Sequence, residues 1–62
     1  MRVVYLVNGS EDGIVGVYSS KAKAFEKAKS YAEVEQCEGT ISDYIWFFEG
    51  TNHAHVTKEY VE

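Results

Sequence analysis

The sequence predicts an α+β domain: an antiparallel sheet of about four strands in the order ββαββ, with one helix packed on one sheet face. Three observations predict it. Short runs rich in β-branched and aromatic residues are bounded by the turn dipeptides Asn8-Gly9 and Asp12-Gly13. One stretch, 19–36, carries apolar residues at helical spacing. The strand-like runs come in adjacent pairs joined by short turns, which favours antiparallel pairing over a parallel crossover sheet. The chain of 62 residues is expected to form one small domain, 1–62.

In order along the chain, "RVVYLVN" (2–8) reads as the first strand and "NGSEDG" (8–13) as its turn. "IVGVYS" (14–19) reads as the returning strand, where Gly16 marks a bulge or a close approach. The helix over 19–36 has Ser19 or Ser20 as N-cap. Its apolar stripe is Ala22, Phe25, Ala28 or Lys29, and Ala32, flanked by Ala24 and Tyr31. Glu38-Gly39 is expected to end it, with glycine taking the left-handed C-cap. "DYIWFFE" (43–49) reads as the third strand, and "HAHVTKEYV" (53–61), after the turn 50–52, as a fourth strand at the sheet edge.

The third strand raises a question of coverage, because Tyr44 to Phe48 are five consecutive large apolar residues. Alternation sorts the strands into two sets. One is Val4, Leu6, Val15, Val17, Ile45 and Phe47; the other is Val3, Tyr5, Val7, Ile14, Tyr18, Tyr44, Trp46 and Phe48. The aliphatic set is assigned to the core beneath the helix and the aromatic set to the outer face, since Tyr and Trp suit interfaces. The reverse assignment also leaves a large apolar set without a helix over it. On this reading Tyr5, Tyr18, Tyr44, Trp46 and Phe48 are candidate dimer or partner contacts, and the outer face meets an identical copy or a different partner.

Composition narrows the class. A domain of this size buries only about 60% of its unfolded surface, so it needs a staple or very good packing. Cys37 is the single cysteine, so no disulfide forms within the chain. A free thiol and no signal-peptide pattern in "MRVVYLVNG" point to the cytoplasm, of the host cell if the chain is phage-encoded. Net charge is −4 and unevenly spread: residues 31–57 hold Glu33, Glu35, Glu38, Asp43 and Glu49 with no Lys or Arg. This balance argues against direct nucleic-acid binding, which rests on cations displacing counterions, and suits a basic partner.

Candidate chemistry is sparse. His53 and His55 share one side of a strand, but a metal site needs further ligands, and a polar exposed strand explains them as well. Cys37 falls near a helix C-terminus beside Glu35 and Glu38, a field that opposes a thiolate nucleophile. Lys21, Lys23, Lys27 and Lys29 crowd the first half of the helix, where they form a solvated face or a small anion site. No catalytic residue, metal ligand set, cofactor motif or membrane span is expected. The acidic residues Glu33, Glu35, Glu38 and Asp43 form the strongest electrostatic feature.

The residues "VVYLVNG…EDGIVGVYSSKAKAFEKA", about 3–28, resemble small uncharacterised domains encoded by bacteriophages and prophages. The resemblance implies a setting in which tiny acidic proteins bind and disable a host protein, with DNA-binding proteins engaged by DNA mimicry among the targets; together with the residues it favours a non-enzymatic interaction protein. The expected partners are a second copy of the chain, at the uncovered aromatic face, and a basic host protein, at the acidic segment. The alternative is a small nucleic-acid-binding module that stacks bases on the aromatic sheet face beside the helix lysines.

Overall fold

A computed structural model describes residues 2–61. Strands β1 (Arg2–Gly9), β2 (Gly13–Tyr18), β3 (Ile45–Phe48) and β4 (Ala54–Val61) form one antiparallel sheet, and α1 (Lys21–Ala32) packs across it. The α+β ββαββ expectation is what the structure shows. The sheet order is β2-β1-β4-β3, so the last strand is central rather than at an edge. The reason is length: β4 pairs with the whole of β1, from Arg2 opposite Val61 to Gly9 opposite Ala54, whereas β3 has only four residues and can serve only as a flank.

The helix begins where its cap allows. The Oγ of Ser20 accepts the N–H of Lys23 at 3.5 Å, which selects Ser20 of the two serines. The helix ends at Ala32, well before Gly39. Glu33 takes the left-handed conformation (φ 59°, ψ 46°), its N–H donates to the carbonyl of Ser30, and the Val34 N–H reaches back to that of Lys29. This pair of bonds is a Schellman closure built on a glutamate. Gly39 does have positive φ, but in the connection that follows. The left-handed conformation costs an L-residue roughly 1–2 kcal/mol, part of which a glycine returns through its freer unfolded chain. Glu33→Gly is therefore expected to stabilise the domain by about 0.5–1 kcal/mol, read as a midpoint raised by a few degrees in thermal unfolding.

The buried seam of the helix is Ala24, Ala28 and Ala32, an i, i+4, i+8 row, while Ala22 is exposed. Beneath it lie Val7, Phe48, Ala54 and Val56, all fully buried, with Tyr5, Tyr18, Phe25, Tyr31 and Trp46 packed around them. The aromatic set is therefore the core set, and the assignment made from alternation is reversed. The physical cause is volume. An alanine ridge over short aliphatic side chains would leave gaps, and interiors pack at crystal-like density. Long rings fill the space: Phe25 meets Phe48 edge-on at 5.3 Å and Trp46 at 5.4 Å, and Trp46 tilts against Tyr5 at 6.1 Å.

A β-bulge completes the reversal. Val7 pairs with Gly16, but Asn8 pairs with Ile14, so Val15 is an extra residue on β2. Simple alternation fails across it. Ile14 shares the far side of the sheet with Val17, while Val15 packs against the core. Gly16 meets both expectations held for it, since it adjoins the bulge and a Cβ there would strike the ring of Tyr18.

Candidate functional site

Two surfaces stand out once the core is assigned. The first is the sheet face that α1 does not cover. Register places Arg2, Val4, Leu6 and Asn8 of β1 on it, beside Val17 and Ile14 of β2. The same registers add Val61, Glu59, Thr57 and His55 of β4, and Ile45 and Phe47 of β3. Ile14 is 59% exposed, Val17 56% and Ile45 49%. The face is aliphatic across its middle, and its ionised side chains, Arg2 and Glu59, are confined to one end.

The residues first assigned as interface contacts lie elsewhere. Phe48 is fully buried, and Tyr5, Tyr18 and Trp46 are half-buried around the core. Tyr44 alone is well exposed, and it sits in a turn before β3 rather than in the strand. An aromatic platform for stacking bases is thus not offered to solvent. Trp46 is flanked instead by Phe25 and by the Lys21 ammonium, 5.6 Å from the indole centroid. That contact gives one of the four helix lysines a structural partner.

The second surface is the acidic connection between α1 and β3, which runs along the outer edge of β3. Val34 packs against the core. The Cys37 thiol donates to the carbonyl of Phe47 at 3.4 Å, and the Phe47 N–H donates to that of Thr40 at 3.1 Å. Ile41 bridges to Trp46. At the tip, the Oγ of Ser42 accepts the N–H groups of Tyr44 and Ile45 and closes the turn. These bonds cover an edge that would otherwise be open for pairing. They also leave Glu33, Glu35, Glu38 and Asp43 exposed. Gly39 lies against the ring of Phe47 and the side chain of Glu49, so Glu49 joins the same edge. Glu49 was not singled out as a contact residue, although it belongs to the same cation-free run from 31 to 57.

The remaining candidates have local explanations. Burial, and then the charge of Glu38, push the Cys37 thiol above its ordinary pKa, so the thiolate is disfavoured. His53 precedes β4 and tilts against the Phe47 ring at 5.9 Å, while His55 lies on the open sheet face opposite Phe47. Among the described residues no group of three or more His, Cys, Asp or Glu side chains is placed to hold a metal. At the other end of the sheet, the Tyr31 hydroxyl donates to the Asp12 carboxylate at 2.9 Å and accepts the Glu11 N–H at 3.1 Å. The Ser10 N–H donates to the His53 carbonyl at 2.8 Å, which ties the two strand-connecting turns together.

Comparison of the chain with protein-family models, with curated proteins and with solved structures gave no match. Among the described residues no helix is long and apolar enough to cross a membrane.

Proposed function

We propose that the chain is a non-enzymatic interaction protein that binds a basic partner through the acidic edge of β3. The observation that carries this reading is the set of exposed carboxylates at Glu33, Glu35, Glu38 and Glu49. They are gathered along one edge by the bonds of the connection to β3, with no Lys or Arg from residue 31 to 57. Such a surface attracts cationic proteins over distances set by the ionic strength. In this reading the protein is a homodimer, and its partner is a basic host protein of the DNA-binding kind, met by imitation of a phosphate row. The resemblance to phage-encoded domains supports the setting.

The experiment is capture of basic proteins from a bacterial lysate by the wild-type chain and by E33Q/E35Q/E38Q. Exposed charge pairs are worth about 0.2–1 kcal/mol each. Removing three carboxylates should therefore weaken capture by roughly tenfold, and double-stranded DNA should compete for the captured protein. Undiminished capture by the triple variant, or no enrichment of basic proteins with the wild type, contradicts the reading.

A further inference from the structure

The open sheet face has a pattern that a copy of itself can match. Four strands about 4.8 Å apart at about 3.3 Å per residue, the central ones eight residues long and the edge ones six and four, make a face of about 400 Å². Two such faces together reach about 800 Å², the low end of interface sizes and that of a weak, concentration-dependent dimer. The geometry points to a face-to-face dimer of this chain, with its twofold axis parallel to the strands and running between β1 and β4. The proposal deepens the homodimer of the preceding reading and rests on it.

The register selects the axis. Cross-strand rows run Ile45–Thr57–Leu6–Val17, then Phe47–His55–Asn8–Ile14. Both edge strands are short and fill the same two rows, leaving the rows of Val4–Glu59 and Arg2–Val61 to the central strands alone. A twofold along the strands preserves rows and reverses strand order. It sets Ile45 over the copy's Val17, Phe47 over its Ile14 and His55 over its Asn8. It also sets Arg2 over the copy's Val61 and Glu59 over its Val4, so the two opposite charges lie one row apart at the same end of the interface. A twofold across the strands reverses the rows instead. Through the centre of the face, it would set Ile14, Val17, Ile45 and Phe47 against the corners beyond the short strands rather than against one another. Facing sheets pack about 10 Å apart with strands within about 30° of alignment, which keeps these pairings. In this dimer β3 of each copy lies over β2 of the other. The two acidic edges therefore fall on opposite flanks, and each dimer offers two separate acidic sites.

The axis is tested by cross-linking. Facing sheets lie beyond disulfide reach, so a short bismaleimide is used on proteins carrying Cys37→Ser. Val17→Cys and Ile45→Cys are prepared singly and mixed. The expected result is a covalent dimer in the mixture and little in either variant alone. Light scattering should give twice the 7.0 kDa chain mass for the wild type. It should give the chain mass for Val17→Lys and for Ile45→Lys, with circular dichroism confirming that each stays folded. A wild type that is monomeric at all concentrations overturns the proposal, as does a dimer that cross-links through Ile45→Cys alone or survives both lysine variants. These readouts do not depend on capture of a basic protein, so a failure of the acidic-edge reading leaves them unaffected.

Discussion

Phe48→Ala is expected to cost about 3–5 kcal/mol, the range for emptying a buried aromatic site. Phe48 is fully buried beneath the alanine seam and holds the ring of Phe25 edge-on. A domain of this length has roughly 3–9 kcal/mol of total stability, so the variant should lose from a third to all of it, read as a large drop in the urea midpoint followed by circular dichroism. Phe47→Ala is the internal control. Phe47 stands next in sequence but on the open face, and it keeps its backbone bonds to Thr40 and Cys37 whatever its side chain. Its loss should cost about 1 kcal/mol or less in the monomer. If the aliphatic set were the core, the order of the two effects would be reversed.

The second large effect is expected from one methyl group. A Cβ at Gly50 would collide with the backbone carbonyl of Ala32 and the side chain of Val34, where the end of α1 meets the β3–β4 turn. The obstacle is backbone held by the helix closure at Glu33 and Val34, so it cannot rotate away as a side chain would. Gly50→Ala should destabilise by about 1–3 kcal/mol through forced displacement of the helix end. Chemical denaturation should show a lower midpoint with an unchanged slope. Gly50 is not among the positive-φ glycines, so the effect isolates crowding from backbone conformation.

Much of the architecture was legible because it is local. Turn dipeptides divided the hairpins, Ser20 was one of two serines named as the cap, and Gly16 flagged the bulge. The features that escaped are those that depend on pairing or on volume. Both alternating sets are apolar, so alternation alone could not say which one faces the helix. The deciding fact is that an alanine ridge needs long side chains below it. Ile14 changed sides because a bulge moves every residue beyond it out of phase. The helix end was hidden because Glu33 adopts a conformation for which glycine is the usual sign. The place of β4 beside β1 is a contact between opposite ends of the chain and leaves no local trace. For the candidate surfaces, the acidic run was visible as composition, whereas the approach of Glu49 to Gly39 requires the connection to fold along β3. The apolar face was foreseen as an uncovered surface but assigned the wrong residues.

The central claim is that the aromatic set lies beneath the helix and the aliphatic set lies open to a partner. Nuclear Overhauser contacts from the helix alanine methyl groups test it most directly. The methyls of Ala24 and Ala28 are expected to show contacts to the ring protons of Phe48 and to the methyls of Val7 and Val56, and none to Leu6 or Ile45. Contacts from those alanines to Leu6, Val17 or Ile45, with the Phe48 ring free of them, would contradict the account.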